Sequence, residues 1–241
     1  MKTGINKILI VIPCYNEQDN ILPLLGELTK INIENCEITP LVVNDASTDD
    51  TQNRLKSSGV LFLENVVNLG IGGTVQLGFI YAAENGFDIA VQMDGDGQHP
   101  PSELHKIVAP VIKGDAQMVI GSRFISQTGF KSTFLRRVGI RFFYRLNKWL
   151  TGVEVKDSTS GYRAYNAQAI RLAADYYPDE YPEPEMILYL AHKQVKIAEV
   201  AVNMNDRASG VSSINSFRSV YYMFKVSLNI LFLHLKLKFN G

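Results

Sequence analysis

The sequence has little cysteine and no surplus of either charge. Its 241 residues contain two cysteines, Cys14 and Cys36, which are too few for a disulfide framework and are not spaced as a Cys-x-x-Cys metal pair. Lysine and arginine total 24, and aspartate and glutamate also total 24. This balance argues against a general nucleic-acid-binding protein, because such proteins carry a net positive field. We therefore expect a reduced, cytoplasmic protein that binds no nucleic acid; its oligomeric state is not specified.

Long hydrophobic runs are also missing. The run Ile8–Ile12 is followed at once by Pro13 and polar residues, with no small-residue cleavage site, which predicts a buried first strand and no signal peptide. The most apolar stretch, Val220–Leu235, is interrupted by Lys225, Ser227, Asn229 and His234. That stretch is too polar to cross a bilayer as a transmembrane helix, although it could lie on one.

Short apolar runs alternate with amphipathic segments in the first half of the chain. This alternation predicts an α/β fold with a Rossmann-like, mostly parallel central sheet flanked by helices. We expect one main domain over residues 1–214 and an amphipathic helical extension over 215–241 that associates with a membrane. The predicted strands are Ile8–Ile12, Ile38–Val43, Val60–Leu63, Ile89–Met93 and Met118–Ile120.

Positive charge is concentrated in the second half. No acid occurs between Ala116 and Val153, where seven basic residues lie, and none follows Asp206. A helix over Phe134–Leu150 would carry an apolar stripe, Phe134, Val138, Phe142, Leu146 and Trp149, beside a basic stripe, Arg137, Arg141, Arg145 and Lys148. This pattern fits either a solvated helix face or an interfacial helix on an anionic membrane surface. The later residues Tyr221, Tyr222, Phe224, Leu228 and Leu231 are expected to pack in the core or between helices.

Polar residues follow four of the predicted strands. In open α/β sheets, ligands bind beyond the carboxyl ends of the strands, so these residues are candidates for a site. They are Pro13, Tyr15, Asn16 and Glu17; Asn44 to Ser47; Asp94 to His99; and Gly121 to Arg123. Such a set of carboxylates and amides favours a metal and phosphate site over an apolar pocket.

The segment Asp94-Gly95-Asp96-Gly97-Gln98 is the most informative of these. Two carboxylates and an amide at two-residue spacing suit a hard ion, Mg²⁺ or Mn²⁺, that also holds substrate phosphates. The same residues alone also fit a solvated Asp-Gly turn. A second glycine-rich segment, Asn68 to Gly73, lacks the spacing of a dinucleotide loop and predicts a helix N-terminus that packs closely against other backbone.

Six motifs together resemble the family-2 glycosyltransferases of GT-A fold, and most closely the dolichol-phosphate mannosyltransferase-like, or polyprenyl-phosphate sugar transferase, branch. The resemblance runs from the first strand to about Ser213. The motifs, in order, are Ile12-Pro-Cys-Tyr-Asn-Glu17, Asn44-Asp-Ala-Ser-Thr-Asp49, Asn68-Leu-Gly-Ile-Gly72, Asp94-Gly-Asp-Gly-Gln-His99, Gly121-Ser-Arg123 and Asp157-Ser-Thr-Ser-Gly-Tyr-Arg163.

The resemblance implies a role for each matching residue. The donor would be a UDP- or GDP-linked sugar, and the residues expected to contact its nucleoside are Pro13, Tyr15, Glu17 and Asp45. Asp94, Asp96 and Gln98 would hold the metal and the diphosphate, with Gly95 beside the donor. Arg123 and Arg207 would stabilise the departing diphosphate.

The acceptor determines whether a base is needed. A lipid phosphate is already ionised, so an inverting transfer to polyprenyl phosphate requires none. A hydroxyl of a lipid-linked saccharide requires a carboxylate, and the candidates are Glu185, Glu183 and Asp157. Of these, Glu183 is expected to be a solvated turn acid.

We therefore expect a metal-dependent inverting enzyme on the inner face of the cytoplasmic membrane, with Asp96, Arg123, Asp157 and Glu185 as candidate catalytic residues. Saccharide transfer and a non-catalytic nucleotide-binding membrane adaptor are the alternatives. A nucleotidyltransferase is disfavoured, because no glycine-rich basic segment follows the first strand.

Overall fold

A computed structural model describes residues 4–125, 134–180, 182–205 and 216–239, with side chains from 139 and from 223 onward in the two helices that begin at 134 and 216. Seven strands form one sheet in the order β3-β2-β1-β4-β6-β5-β7. Among the described strands, β6 alone runs antiparallel to its neighbours, β4 and β5. The strands are β1 Asn6–Cys14, β2 Cys36–Asn44, β3 Leu61–Glu64, β4 Ile89–Gln92, β5 Met118–Ser122, β6 Arg163–Asn166 and β7 Ile197–Ala201.

Helices cover both faces of this sheet. Along β1, Leu9 and Val11 enter one hydrophobic core, whereas Ile8, Ile10 and Ile12 enter the other. All five residues are fully buried, as expected for a central strand of a parallel sheet that is covered on both faces. The helices are α1 Ile21–Leu28, α2 Thr51–Ser58, α3 Gly70–Glu84, α4 Leu104–Ile112, α5 Phe134–Thr151, α6 Ala167–Asp175, α7 Pro182–His192 and α8 Ser216–Phe239.

The predicted α/β class and all five predicted strands are confirmed. Strands β6 and β7 were not predicted. The antiparallel strand β6 is four residues long and contains a buried arginine, Arg163, so it lacks the continuous apolar run that marks the other central strands. The proposed boundary between residues 214 and 215 lies outside the described residues.

Helix α5 buries one face and exposes the opposite one. Ile140, Phe143 and Asn147 are buried, at the spacing of one helix face. Phe142 is 41% exposed and Trp149 is 76% exposed, and Arg141 and Arg145 are exposed with them. The described basic stripe therefore faces outward, as do Phe142 and Trp149 of the apolar stripe, whereas Leu146 is partly buried against the core. Phe134, Arg137 and Val138 lie outside the described side chains.

Helix α8 packs on α7 and α5 through Val226, Ile230 and Leu233. The expectation that its other large apolar residues are packed was wrong for the three described ones: Phe224, Leu228 and Leu231 are exposed. The exposed apolar row of α8 is Phe224, Leu228, Leu231, Phe232, Leu235 and Phe239. No helix in the described parts of the chain is both long enough and apolar enough to cross a membrane.

Candidate active site

The predicted strand-end residues meet at one edge of the sheet. The backbone N–H of Asp45, after β2, donates to the carbonyl of Cys14 at the end of β1 (2.8 Å). A Cβ built on Gly95, after β4, would lie 3.1 Å from the carbonyl oxygen of Pro13. A side chain at this position would crowd that carbonyl, so the glycine favours the close approach of the two loops. The ends of β1, β2 and β4 therefore form one continuous surface.

The Asp94 loop is held by its own neighbours. The backbone N–H of Asp94 donates to Nδ1 of His99 (3.0 Å), and His99 Nε2 lies 3.7 Å from Asp94 Oδ2. Burial lowers the pKa of His99 to about 4, so this ring is neutral near pH 7. Asp96, which is buried, accepts hydrogen bonds from the backbone N–H of Gln98 (3.0 Å) and its side-chain amide (2.7 Å).

This donor set fits a metal that is shared with a substrate. Asp94 and Asp96 offer carboxylate oxygens, the ligands that Mg²⁺ and Mn²⁺ prefer. Within the described ranges, no three His, Cys, Asp or Glu side chains cluster as a ready-made metal site. Magnesium sites of this kind are completed by water and substrate phosphates. The loop therefore suits an ion that arrives with a nucleotide.

Arg123 and Asp157 form a buried ion pair beside this loop. Nε and Nη2 of Arg123 donate to the two carboxylate oxygens of Asp157 at 2.8 and 2.7 Å, and the Arg123 backbone N–H donates at 3.1 Å. Burial works to lower the pKa of Arg123, but the hydrogen bonds and charge of Asp157 raise it above its usual value. Glu199 on β7 accepts from the backbone N–H groups of Lys156 and Asp157. Asp157 is thus a fully buried brace for the arginine.

The predicted nucleoside residues divide into two groups. Tyr15 is exposed and Glu17 is partly exposed at the rim of the cleft. Asp45 is buried, and its carboxylate accepts from the Asn65 side chain (2.8 Å) and from the backbone N–H groups of Leu69 and Gly70 at the start of α3 (2.8 and 3.0 Å). Asp45 therefore anchors the helix N-terminus, a contact that the sequence did not reveal.

The glycine-rich segment forms this helix start, as predicted. A Cβ on Gly72 would lie 2.0 Å from the carbonyl oxygen of Pro178, and the Gly72 N–H donates to the carbonyl of Asp179 (3.1 Å). The predicted close backbone packing is therefore confirmed.

The two glutamates on α7 face different surroundings. Glu183 is partly exposed as a residue, but its carboxyl group is enclosed by the protein near Asp94 and Arg123. This enclosure raises the pKa of Glu183; the Arg163 charge opposes that rise, and Asp94 adds to it. The expectation of a solvated turn acid was wrong for Glu183, since it sits at the start of a packed helix. Glu185 is buried and accepts from the Tyr176 hydroxyl (2.6 Å). It lines a different cavity, of about 420 Å³, with Lys225 and Asn229 of α8.

Arg207 lies outside the described residues. The chain leading to it is tied to the Asp94 loop, because the Asn205 backbone N–H donates to the Gln98 carbonyl (3.0 Å). Arg163, buried on β6, was quoted in a motif but given no role. Its burial is visible only in the structure, and a fully buried arginine inside a sheet requires an explanation.

A family model described as glycosyl transferase family 2 matches residues 9–172 of the chain. The chain belongs to this family. The undecaprenyl-phosphate mannosyltransferase of Micrococcus luteus is 31% identical to this glycosyltransferase over 219 residues, covering 87% of the chain and 88% of the relative. The UDP-N-acetylglucosamine–dolichyl-phosphate N-acetylglucosaminyltransferase of Methanococcus voltae is 29% identical over 215 residues, covering 81% and 84%. The polyprenol monophosphomannose synthase of Mycolicibacterium smegmatis is 27% identical over 231 residues, covering 92% and 86%.

Solved structures agree on the fold. The glycosyltransferase superposes on glucosyl-3-phosphoglycerate synthase from Mycobacterium tuberculosis, solved with Mn²⁺, UDP and glucosyl-3-phosphoglycerate, with a TM-score of 0.71 and 18% identity. The match covers 95% of this chain and 80% of that one. The predicted GT-A fold and the predicted similarity to polyprenyl-phosphate sugar transferases are both confirmed.

Proposed function

We propose that this family 2 glycosyltransferase moves a sugar from a UDP- or GDP-linked donor to a polyprenyl phosphate, with inversion, at the inner face of the cytoplasmic membrane. One observation carries the proposal: relatives named for transfer to lipid phosphates align over more than four fifths of both chains. The strand-end cleft supports it, because its carboxylates and its buried arginine suit a diphosphate leaving group.

The chemistry assigns separate tasks to the two sides of the cleft. Asp94 and Asp96 would hold Mg²⁺ or Mn²⁺, which supplies charge neutralisation to the departing nucleoside diphosphate. Arg123 adds a fixed positive charge that Asp157 orients. Asp157 has no exposed surface, so we assign it a positioning role in place of the general-base role that its sequence position suggested. Glu185 faces α8, and we leave it outside the reacting groups.

The outer faces of α5 and α8 support binding to an anionic membrane. We name this region the α5–α8 surface; it consists of Arg141, Phe142, Arg145 and Trp149 together with the exposed row of α8 and its exposed Lys236 and Lys238. Aromatic side chains that enter the headgroup boundary, flanked by cations that meet anionic lipids, are typical of interfacial helices. A lipid phosphate acceptor lies at the same boundary.

A donor panel tests the proposal. UDP- and GDP-linked hexoses and N-acetylhexosamines are incubated with Mg²⁺ or Mn²⁺, with and without a short polyprenyl phosphate, and the products are identified by mass spectrometry. We expect a lipid-phosphate monosaccharide that disappears with EDTA. A product that forms only with a saccharide acceptor would refute the proposed acceptor. Turnover that persists in EDTA would refute the proposed requirement for a divalent metal ion.

Glu183 is the observation that favours a second acceptor class. Its carboxyl group is enclosed close to Asp94 and Arg123, and enclosure raises its pKa, as suits a group that accepts a proton from a sugar hydroxyl. The Glu183→Gln variant separates the two reactions. Transfer to a phosphate needs no base, so turnover should fall less than about tenfold, whereas removing a general base costs about 100-fold or more.

A further inference from the structure

Arg163 is the largest fully buried side chain in the described part of the chain. It lies on β6, paired in register with Gln92 on β4, two residues before Asp94. None of the ion pairs among the described residues includes it. Its Nη1 and the side-chain nitrogen of Gln92 have no hydrogen-bond partner there. A buried charge without an acid at direct ion-pair distance costs several kcal/mol, so its retention calls for a functional reason.

The guanidinium holds a short turn by its carbonyl oxygens. Nε donates to the carbonyl of Ser160 (2.7 Å) and Nη2 to that of Ser158 (3.1 Å). The planar fork of arginine makes both bonds from one rigid group, which the single ammonium of a lysine does not reproduce. The same turn is tied to β5, since the Ser160 hydroxyl donates to the carbonyl of Gly121 (2.6 Å).

This turn contacts the donor site at three points. Asp157, at its start, grips Arg123. Gly161 packs against Asp94, because a Cβ built there would lie 3.3 Å from both Asp94 carboxylate oxygens. Tyr162, at its end, stacks on His99 with ring centroids 4.8 Å apart, and His99 accepts from Asp94. Displacement of the turn would therefore move both the Asp94 loop and Arg123.

We propose that Arg163 is a positioning residue for the donor site: its guanidinium fixes the 157–161 turn that orients Asp94 and the Arg123–Asp157 pair, and its charge offsets the neighbouring acids. The inference rests on the proposed function, since it assumes that Asp94 receives a metal-bound nucleotide. Outer groups that orient metal ligands typically contribute 10- to 100-fold to metal affinity.

The test measures binding and folding separately. Mn²⁺ binding is measured by EPR with UDP or GDP present, and urea unfolding is measured on the same samples, for wild type and Arg163→Lys. We expect the variant to keep a cooperative transition but to bind Mn²⁺–nucleotide at least 10-fold more weakly. The exposed Arg171→Lys on α6 is the matched control and should bind like wild type.

If Arg163→Lys does not fold, Gly161→Ala tests the contact between the same turn and Asp94. The new methyl group would press on Asp94 and should lower Mn²⁺–nucleotide affinity about 10-fold. Gly26→Ala, where a Cβ meets nothing within 4 Å, should have no effect. Unchanged affinity in the folded Arg163→Lys and Gly161→Ala variants would overturn the inference alone. A wild type that binds Mn²⁺ with neither nucleotide would overturn the metal-dependent function, and the inference with it.

Discussion

The strand-end cleft and the α5–α8 surface differ in how their side chains are held. In the cleft, the described charged groups are braced by neighbours: Asp45 by α3, Asp96 by Gln98 and Arg123 by Asp157. On the α5–α8 surface, large side chains such as Trp149 and Phe232 stand outward, 76% and 66% exposed. Bracing suits a site that must hold charges before substrate arrives. Outward apolar groups suit a surface whose partner is a fluid bilayer.

The largest expected effect lies in the cleft. Asp157→Asn removes the charge that compensates Arg123, and breaking a buried pair by removing one partner costs about 3–5 kcal/mol of stability. Urea unfolding measures it. The control is Glu154→Gln, which breaks the exposed Lys148–Glu154 pair (2.7 Å) and should leave stability close to that of wild type, because exposed ion pairs contribute little. Equal losses of unfolding free energy in the two variants would show that the ion pair in the cleft stabilises the fold no more than the exposed pair does.

Next in size is the loss of donor turnover. Asp96→Asn keeps the shape of the side chain but removes a carboxylate charge, and we expect turnover to fall at least about 100-fold. The exposed Asp115→Asn should be indistinguishable from wild type. Both variants should bind vesicles normally. Normal turnover in Asp96→Asn would show that this loop takes no part in the reaction. It would support the alternative of a non-catalytic nucleotide-binding adaptor.

A smaller effect is expected at the outward-facing aromatics. Trp149→Ala and Phe232→Ala should each weaken binding to anionic vesicles about 10-fold in co-sedimentation, because each removes one large apolar side chain from the interface. Ile112→Ala, on the exposed face of α4, is the control. Turnover of a short soluble acceptor should not change in either variant. If vesicle binding survives both substitutions, these helices have another partner.

The smallest effect concerns the attachment of α8. His192 on α7 and His234 on α8 form a 2.9 Å hydrogen bond, and burial, then the His234 charge, lowers the pKa of His192. Below about pH 6.5, His192 is therefore more protonated in the unfolded chain than in the folded one. The contribution of neutral His192 to the free energy of unfolding is fully present above that pH and decreases as the pH falls below it. Over pH 7 to 5.5, His192→Asn should lose less stability than wild type, by less than about 1 kcal/mol. Exposed His105→Asn should follow wild type.

Five of the seven described strands and the acidic loop could be predicted from the sequence, because continuous apolar runs and Asp-Gly spacing are local patterns. Strands β6 and β7 could not. The sequence could not separate Glu183 from Glu185, since these two acids lie within one turn and their surroundings depend on how α7 packs. It also could not show that Asp157 is fully buried or that Asp45 anchors α3. Both depend on partners distant along the chain, such as Arg123 and Asn65, and such pairs leave no local pattern.

In the proposed reaction, the cleft transfers sugar to a lipid phosphate and the α5–α8 surface delivers that acceptor. The direct measurement compares wild type with Arg141→Gln/Arg145→Gln on two acceptors: a short polyprenyl phosphate in solution and a long one in anionic vesicles. We expect equal formation of the lipid-phosphate monosaccharide in solution. On vesicles, the variant should form product at least 10-fold more slowly, because each lost arginine charge weakens membrane binding by about 1 kcal/mol. The difference between the two proteins should shrink at high salt. Equal rates on vesicles, or no lipid-phosphate product from wild type, would contradict the account.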